Sequence, residues 1–273
     1  MKPPLSLLPI ALEAVGVASE LVRSRPPGAV TSKGDRDMAT EVDLAVERTV
    51  RSFLKKKTPT IGFLGEEEGP TGSQDEPLWT LDPVDGTANF AHGLPLCGIS
   101  LGLVHNGHPV LGVIDLPFLG SRYSAVERHG AFVNQRRLHA RHTTKLQDAI
   151  IAVGDYAVGP DATANNRLQL AITEQLAAKA LRVRMLGSAA IDLAWVAEGR
   201  LDASIALSNT PWDMAAGVIL AREAGARVVD KDSTPHTFES AATVAAGPQL
   251  LDEITDLLRQ VDTGLIGTTA ADG

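Results

Sequence analysis

The stretch WTLDPVDGTANF, from Trp79 to Phe90, decides how this chain folds. Residues 79–81 are predicted to end a buried strand. Pro83 fixes its own φ angle and has no N–H group, and Gly86 can adopt backbone conformations that other residues avoid. The strand is therefore predicted to break sharply, and a helix can begin at Thr87.

Asp82 and Asp85 stand on this corner of the chain. Carboxylate oxygens bind hard divalent cations, and the free N–H groups at a helix start bind phosphate. A site with both features suits metal-assisted chemistry on a phosphate ester. A plainer interpretation stays open at this point, because Pro-x-Asp-Gly is also a turn signal and Asp82 could simply cap the following helix.

The composition is typical of a globular protein with a large core. The chain has 273 residues, of which 44% are hydrophobic and 21% charged, and its net charge is −8. This charge argues against nucleic acid or an anionic membrane as the main partner. An anionic substrate remains compatible with it, because bound Mg²⁺ would reverse the sign of the charge at a carboxylate cluster. The one cysteine, Cys97, follows an apolar run and is interpreted as a buried core residue.

The N-terminal stretch is apolar, but Pro9, Glu13 and Glu20 interrupt it. It is too short to span a bilayer, and Lys2 is the one basic residue before it. We therefore predict an amphipathic first helix rather than a signal peptide. With no targeting segment recognised, the cytoplasm is the expected location.

Residues 25–39 are rich in Pro, Gly, Lys and Asp, and they are predicted to form a loop that is mobile and charged near its end. Thr40 is predicted to cap a helix that continues to about Lys57. Asp43 and Glu47 lie one turn apart on that helix. Isolated acids of this kind are expected to face solvent by default.

A second acidic stretch, GEEEG, occupies residues 65–69 and follows a short predicted strand at 61–64. Three acids between glycines can form a solvated loop. However, the strand that leads to Asp82 begins only a short loop later. If the two strands are adjacent, their ends bring Glu66 near Asp82.

Two further stretches join a strand or loop to a helix. In PWDMAAG, residues 211–217, Asp213 begins an Ala-rich helix that is predicted to run to Gly225. The ordinary role of such an acid is an N-cap or a first-turn residue favoured by the helix dipole. The small side chains at 187–189 permit either close approach of a ligand to backbone N–H groups or tight packing of helix on sheet.

The other main elements follow from hydrophobic periodicity: a hairpin of strands 96–104 and 110–116, and helices at 167–180, 189–199 and 250–261. The chain contains no obvious linker. We therefore expect a single domain at 1–261, with two αβ halves at approximately 1–150 and 151–261, and a disordered tail at 262–273.

Together these stretches resemble the signatures of the inositol monophosphatase family, which shares a superfamily with fructose-1,6-bisphosphatases and phosphoadenosine-phosphate phosphatases. Residues 65–67 are similar to its acidic loop, 79–90 to its central signature and 212–217 to its C-terminal signature. Residues 40–43 fit its Thr-x-x-Asp stretch. The resemblance implies an α+β fold, a layered αβαβα sandwich, and a homodimer that lithium inhibits.

The resemblance also implies a magnesium site. Four carboxylates alone would repel a doubly charged phosphate monoester, whereas two or three Mg²⁺ ions make the site positive. Carried over by position, Glu66, Asp82 and the carbonyl of Val84 would hold one ion. Asp82, Asp85 and Asp213 would hold a second, and a third, weaker ion would lie near Glu66.

The same resemblance assigns residues to the reaction. We expect water to attack phosphorus directly, without a phosphoenzyme, with Thr87 and Glu66 orienting the water and Asp43 hydrogen-bonded to Thr87. The N–H groups of Gly86 and Thr87 would hold the phosphate. The groups that remain for substrate hydroxyls are Asp85, Gly187, Ser188 and Ala189.

The resemblance is incomplete at the substrate. Members that hydrolyse inositol phosphates commonly carry a Glu where this chain has Ala206. Without that acceptor a site loses discrimination in favour of a polyol. The prediction is a Mg²⁺-dependent phosphomonoesterase for a small phosphorylated polyol such as inositol monophosphate, with weak or broad specificity. The alternatives are histidinol phosphate, fructose-1,6-bisphosphate, a sugar phosphate or 3′-phosphoadenosine 5′-phosphate as the substrate, or a phospholigand-binding protein without turnover.

Overall fold

A computed structural model of the chain describes residues 3–34, 37–72, 77–159 and 162–269. In these ranges the helices are α1 (Pro4–Ser24), α2 (Glu41–Lys57), α3 (Thr87–Ala91), α4 (Ala162–Lys179), α5 (Ala189–Glu198), α6 (Pro211–Glu223) and α7 (Pro248–Thr269), with a one-turn 3₁₀ helix at Leu146–Asp148. The strands are β1 (Val30–Gly34), β2 (Asp37–Thr40), β3 (Gly62–Gly65), β4 (Gly69–Thr71), β5 (Leu78–Asp85), β6 (Gly98–His105), β7 (His108–Leu116), β8 (Ser121–Val126), β9 (Gly130–Val133), β10 (Arg136–Arg137), β11 (Ile150–Val153), β12 (Arg182–Arg184), β13 (Ala203–Ala206), β14 (Arg227–Val229) and β15 (Thr243–Ala246).

These elements form five layers. Helices α1 and α2 pack on one face of an eight-stranded sheet, and α5 and α6 lie between that sheet and a five-stranded sheet. Helices α4 and α7 cover the far face of the second sheet. The strand order is β10-β9-β8-β7-β6-β5-β3-β4 in the first sheet and β12-β11-β13-β15-β14 in the second. The predicted layered αβαβα sandwich of the α+β class is confirmed. The predicted division near residue 150 falls between the strands of the two sheets.

Strands β3 and β5 are parallel neighbours, which is the arrangement that would bring Glu66 near Asp82. Gly65 lies opposite Leu81 in their register, and the N–H of Glu66 donates to the carbonyl of Leu81 at 3.2 Å. Because parallel strands end at the same edge of a sheet, Glu66 leaves β3 beside the point where the chain reaches Asp82. The predicted proximity of these two strand ends is confirmed.

Strand β5 differs from the prediction, because it continues to Asp85 instead of ending at residue 81. Its pairing with β6 shifts register between Asp82 and Asp85. A bulge of this kind accommodates Pro83, which cannot donate to the ladder, without ending the strand. The predicted start of helix α3 at Thr87 is confirmed.

Helix α6 lies unusually close to the first sheet, because small residues face each other across the contact. A Cβ atom on Gly112 would lie 2.6 Å from the carbonyl oxygen of Ala216, and one on Gly102 would lie 2.6 Å from the Cβ of Ala215. The hydroxyl of Ser100 on β6 also donates to a backbone carbonyl in the first turn of α6, at 3.1 Å. This contact fixes the first turn of α6, which carries one of the predicted metal ligands, over the end of β5.

Helix α1 is amphipathic, as predicted, with one buried face. The expectation that this stretch is too short to span a bilayer was wrong, because the helix has 21 residues and a mean hydropathy of 1.7 and is long and apolar enough to cross a membrane by length and composition. However, Leu7, Ala11, Val15 and Val22 are at most 1% exposed and pack in one hydrophobic cluster with α2 and the first sheet. The same buried cluster contains Cys97, whose predicted place in the core is confirmed.

The loop predicted at residues 25–39 is largely a β-hairpin of β1 and β2, which pair antiparallel from Val30 opposite Thr40 to Gly34 opposite Asp37. The prediction was wrong because every residue of β1 is exposed, so that no buried alternation marks the strand in the sequence. Residues 35 and 36, at the tip of the predicted mobile stretch, lie outside the described residues.

Thr40 caps α2 in a capping box with Asp43, which confirms the predicted helix start. The expectation that Asp43 and Glu47 face solvent was wrong, since both side chains are 0% exposed. The reason is that the end of β3 and the corner after β5 pack against this end of α2. Long-range contacts of this kind leave no trace in the periodicity of a helix.

The final helix is longer than predicted, because α7 continues to Thr269 instead of ending at residue 261. No proline follows Pro248, although Gly264 and Gly267 lower the intrinsic stability of a helix here. The disorder of residues 262–273 stays a prediction. Residues 270–273 lie outside the described ranges.

Candidate active site

The corner after β5 has a backbone that only glycine fits. Gly86 has a φ of +88°, in the left-handed region, and a Cβ atom at this position would lie 2.8 Å from the carbonyl oxygen of Leu96 and 3.0 Å from that of Gly187. Asp82 and Asp85 on either side of the bulge are 3% and 8% exposed. The corner therefore holds two buried carboxylates against a rigid backbone.

Four acidic side chains meet at this corner. The charges of Glu66, Asp85 and Asp213 all act on Asp82, and the charge of Asp85 also acts on Asp213. These residues come from the end of β3, the bulge of β5 and the first turn of α6. That the three stretches supply one metal site stays a prediction.

The cluster is costly to ionise without a counter-ion. Burial, followed by the charges of neighbouring acids, raises the pKa of Asp82 well above its ordinary value. Burial and the charge of Asp85 raise the pKa of Asp213 to about 7. Burial also raises the pKa of Asp85 to about 6, although hydrogen bonds from Ala190 and Ser188 oppose the shift. The acids would therefore gain from a positive charge placed among them.

Lys33 on the β1–β2 hairpin contacts this cluster, and the sequence analysis missed it. Its ammonium lies 3.0 Å from Oε1 of Glu66 and 2.7 Å from Oε1 of Glu67. Burial works to lower the pKa of Lys33, but the two glutamates outweigh it and raise the pKa. The one signal for this contact in the sequence is a lysine inside a charged stretch, which is ordinarily a solvated loop.

Among the described residues, no group of three or more His, Cys, Asp or Glu side chains is placed so that it could hold a metal ion as it stands. The residue types still suit a hard divalent cation, because carboxylates are the oxygen ligands that Mg²⁺ prefers. Asp82 and Asp85 are buried, whereas Glu66 and Asp213 are partly exposed. Glu66 is engaged by Lys33, and Asp213 accepts a short hydrogen bond from Thr210. An ion that used these two carboxylates would compete with those partners.

Thr87 and Asp43 are hydrogen-bonded, as the resemblance implied. The Thr87 hydroxyl lies 3.1 Å from Oδ1 of Asp43 and 3.0 Å from the carbonyl oxygen of Val84. The other oxygen of Asp43 accepts the N–H of Thr40 at 3.0 Å. Asp43 therefore fixes the orientation of the Thr87 hydroxyl from the buried side of the corner.

The junction at 187–189 ties the two halves of the chain together. Ser188 donates to Oδ2 of Asp85 at 2.8 Å, and its hydroxyl accepts the N–H of Ile191 at 3.2 Å as the N-cap of α5. Ala190 N–H donates a further short hydrogen bond to the same Asp85 oxygen. Of the two interpretations that the sequence left open, tight packing is thus present, and the Ser188 hydroxyl already has two partners.

A second link across the two halves is Asn89, which the sequence analysis did not single out. Its Nδ2 donates to the carbonyl of Leu96 at 2.8 Å and to that of Leu186 at 2.8 Å. The latter residue leads directly into the junction at 187–189. Asn89 therefore holds α3 against the loop at 187–189, which contains the predicted substrate contacts.

A cavity of about 290 Å³ opens beside the acidic cluster. It is lined by Asp85 and Asp213 together with residues from four other segments: Gly154, Asp155, Tyr156, Ala157, Val158, Gly187, Ser188, Ala189, Asp192, Leu193, Ser204, Ala206, Ser208, Met214 and Thr243. Ala206, the position at which the resemblance implied a missing Glu, is part of this wall. A larger groove of about 730 Å³ lies beside α1 on the first sheet, but it contains none of the predicted site residues.

The turn that carries Glu66 is held by Glu47 of α2. The two carboxylate oxygens of Glu47 accept the N–H groups of Glu67 at 2.8 Å and Glu68 at 2.9 Å, and the same group pairs with Arg51. A Cβ on Gly65 would lie 2.3 Å from the Glu47 carboxyl carbon. Glu47 is therefore a positioning residue for the acidic turn, and its role depends on a contact between distant parts of the chain.

Comparisons with known proteins agree with this geometry. A model of the inositol monophosphatase family matches residues 5–263. The chain is 39% identical over 241 residues to a probable inositol 1-monophosphatase of Mycobacterium tuberculosis, covering 88% of each chain. It is 33% identical over 228 residues to a Thermotoga maritima protein named fructose-1,6-bisphosphatase/inositol-1-monophosphatase, covering 84% of this chain and 85% of that one.

Solved structures show the same fold. The extragenic suppressor protein suhB of Bartonella henselae is 30% identical and superposes with a TM-score of 0.86, covering 93% of this chain and 98% of that chain. The inositol monophosphatase of Thermotoga maritima has the same identity, 30%, and the same TM-score, 0.86, with 95% and 99% covered. The similarity spans both sheets and the helices between them.

We expect Glu47→Ala to lower the free energy of unfolding by about 3 kcal/mol, because it leaves two backbone N–H groups and the Arg51 guanidinium without their buried acceptor. Urea denaturation of the metal-free protein measures this loss. The matched control is Arg48→Ala on the same helix, which removes an exposed pair with Glu68 and should cost less than about 1 kcal/mol. Equal losses in the two variants would contradict the role given to Glu47.

The acidic cluster also predicts how stability depends on pH in the absence of metal. Asp213 and Asp85 have pKa values of about 7 and about 6 in the folded chain, against an ordinary 3.8. Between these values the folded state binds more protons than the unfolded state, so the contribution of these groups to the free energy of unfolding falls as pH rises. The contribution is largest near pH 4 and is lost above about pH 7.

Urea denaturation in EDTA at several pH values tests this, with Asp213→Asn as the comparison. The asparagine resembles the protonated acid, so the variant should match the wild-type protein below about pH 4 and become more stable than it as the pH rises to about 8. If the difference in stability between the variant and the wild-type protein does not change with pH, ionisation of Asp213 does not destabilise the folded chain and the prediction fails.

Proposed function

The chain belongs to the inositol monophosphatase family, and on this premise we propose that it hydrolyses a small phosphorylated polyol such as inositol monophosphate in a magnesium-dependent reaction. Membership of this family makes the protein a phosphoric monoester hydrolase. The observation that carries the magnesium requirement is the cluster of four carboxylates, of which Asp82 and Asp85 are buried and in which the pKa values of Asp85 and Asp213 are raised to about 6 and about 7. Such a cluster repels a phosphate ester unless cations neutralise it.

We propose that two or three Mg²⁺ ions bind here, held by Glu66, Asp82, the Val84 carbonyl, Asp85 and Asp213. When bound, Mg²⁺ would offset the charge of the phosphoryl oxygens and of the leaving alkoxide, and would lower the pKa of a water. Support comes from the oxygen-only donor set and from the buried position of Asp82, whose pKa is raised by burial and by the charges of Glu66, Asp85 and Asp213.

The proposed reaction gives Thr87 the task of orienting the attacking water. Its single hydroxyl proton points toward Asp43 and the Val84 carbonyl, so the oxygen lone pairs remain to accept a hydrogen bond from water on the other side. Glu66 would accept the second hydrogen bond of that water once Lys33 has left it. Asp43 acts through Thr87 and is a positioning residue.

The phosphate end of the substrate would be held by the N–H groups of Gly86 and Thr87 at the start of α3. For the alcohol end, the proposed contacts are Asp85 and the backbone of Gly187, Ser188 and Ala189. Since the Ser188 hydroxyl already bonds Asp85 and caps α5, its backbone is the group left for substrate.

The same family resemblance leads us to propose a cytoplasmic homodimer that lithium inhibits. Exposed apolar side chains near the corner helix support an interface between copies. Leu94 and Phe118 are 50% and 44% exposed, and Phe118 stacks on Phe90 at a centroid distance of 6.2 Å. Apolar groups grouped in this way are typical of protein contact surfaces.

A different phosphomonoester is the second candidate substrate, and Ala206 is the observation that favours it. An alanine side chain in the cavity wall offers no acceptor to a polyol hydroxyl. One relative, from Thermotoga maritima, carries both fructose-1,6-bisphosphatase and inositol monophosphatase in its name. Histidinol phosphate, sugar phosphates and 3′-phosphoadenosine 5′-phosphate remain within the same chemistry, whereas a binding protein without turnover has no feature in its favour.

We expect Asp82→Asn to reduce magnesium-dependent phosphate release by more than about a hundredfold, because even residues that only support a metal ligand cost 10–100-fold when replaced. Phosphate release from a panel of phosphomonoesters, with Mg²⁺ and with EDTA, measures the effect. The variant should keep its fold, since it replaces a buried charge by a neutral group of the same shape.

The control for this variant is Asp252→Asn, which changes an exposed carboxylate on α7 that is 80% accessible. It should release phosphate at the wild-type rate. Near-normal turnover by Asp82→Asn would contradict the proposal that Asp82 is a metal ligand. Release that EDTA leaves unchanged would contradict the magnesium requirement.

A further inference from the structure

A second cavity, of about 350 Å³, lies between α2 and the strands at one edge of the first sheet. Its wall comes from the second half of α2, from the short loop after that helix and from β3, β4 and β5. None of the residues proposed for the metal ions, the phosphate or the substrate alcohol lines it. The cavity is therefore separate from the active site, and the proposed function leaves it without a role.

The charged side chains that line this cavity are all basic. Among the described lining residues, Arg48, Arg51 and Lys55 carry positive charge, and there is no aspartate or glutamate. Each arginine is paired with a glutamate that lies outside the wall, whereas Lys55 has no ion pair within the part of the chain that the structure describes. The cavity therefore keeps a positive potential, which attracts an anion.

Arg51 presents a fixed guanidinium group to the cavity. Its side chain is 13% exposed, and its Cζ atom lies 4.6 Å from the centre of the Phe63 ring. The terminal nitrogens donate to the hydroxyl of Thr71 at 2.8 Å and to the carbonyl of Gly69 at 2.9 Å. These contacts leave the guanidinium little freedom to turn.

The Nε atom of Arg51 is the unsatisfied group of this site. It is buried and has no hydrogen-bond partner among the residues that the structure describes. A buried donor without an acceptor is unfavourable, and such groups in native proteins ordinarily have a partner. Because Arg51 lines the cavity, an anion bound there would supply the missing acceptor.

The remaining wall of the cavity is apolar. Leu54, Phe63 and Trp79 line it and are at most 5% exposed. The indole N–H of Trp79 already donates to the hydroxyl of Thr58 at 3.1 Å, so the indole ring offers only carbon surface to a ligand. Small-molecule sites commonly combine an apolar wall with a few placed polar groups. A ligand that matches this wall has an anionic group at one end and an apolar body at the other.

We propose that this cavity binds a small organic anion. Its carboxylate or phosphate group lies among Arg48, Arg51 and Lys55, and its apolar body lies against Phe63 and Trp79. The site goes beyond the proposed function, because it uses neither the acidic cluster nor a metal ion.

Calorimetry on the full chain in EDTA tests the site, with benzoate and phenyl phosphate as the probes and benzamide as the neutral control. Without metal the acidic corner repels anions, so binding under these conditions reports the basic cavity. We expect at least one of the two anions to bind with a Kd of about 1 mM or below, and benzamide to bind at least about tenfold more weakly. The tighter of the two anions identifies the anionic group that the site prefers.

Arg48→Ala and Lys55→Gln should each weaken binding of the preferred anion by about threefold, because each removes one charge contact at the rim. Arg51 is left intact, since it also bonds Glu47, which positions the acidic turn. The matched control is Lys56→Gln, which removes the same charge from the next residue of α2, an exposed lysine that does not line the cavity. It should change the Kd by less than about 1.5-fold, because a solvent-exposed charge is screened.

Three results would overturn the anion site. The first is that neither anion binds, and the second is that benzamide binds as tightly as the anions. The third is anion binding that Arg48→Ala and Lys55→Gln leave unchanged. Binding in EDTA needs no turnover, so a failure of magnesium-dependent phosphate release would contradict the proposed hydrolysis and leave this result standing.

Discussion

The structure depends on one electrostatic constraint, which is that four carboxylates meet at the end of β5, where Asp82 and Asp85 are buried. The loss of water and mutual repulsion both oppose their ionisation. The charges of Glu66 and Asp213 act on Asp82, and each of the three residues arrives from a different segment. The close packing of α6 on the first sheet and the hydrogen bonds from the acidic turn to Glu47 hold these segments in place. Bound cations would offset the free-energy cost of ionising the cluster.

The sequence was sufficient for those parts of the site that local chemistry determines. Pro83 and Gly86 mark the corner because each restricts or extends the backbone by itself. The acidic turn after β3 and the helix start at Asp213 also follow from strand ends and helix caps. The layered fold and the proximity of Glu66 to Asp82 then follow from the way such elements pack, and the structure agrees with them.

The parts that the sequence could not predict are contacts between distant segments. Lys33 lies on an exposed hairpin with no buried alternation, so nothing in its neighbourhood indicates that it reaches Glu66. Glu47 looks like a solvated helix acid until the acidic turn packs on it. Asp155 and Asp192 belong to one cavity only because β11 and α5 meet across the second half of the chain.

The most direct measurement of the central claim is the position of metal ions in crystals soaked in Mn²⁺, located by anomalous diffraction. Mn²⁺ takes the same oxygen ligands as Mg²⁺. We predict one anomalous peak between Asp82 and Glu66 and a second among Asp82, Asp85 and Asp213. The Lys33 ammonium should have moved away from Glu66. A map without a peak at Asp82, or with Lys33 still bound to Glu66 beside ions elsewhere, would contradict the account.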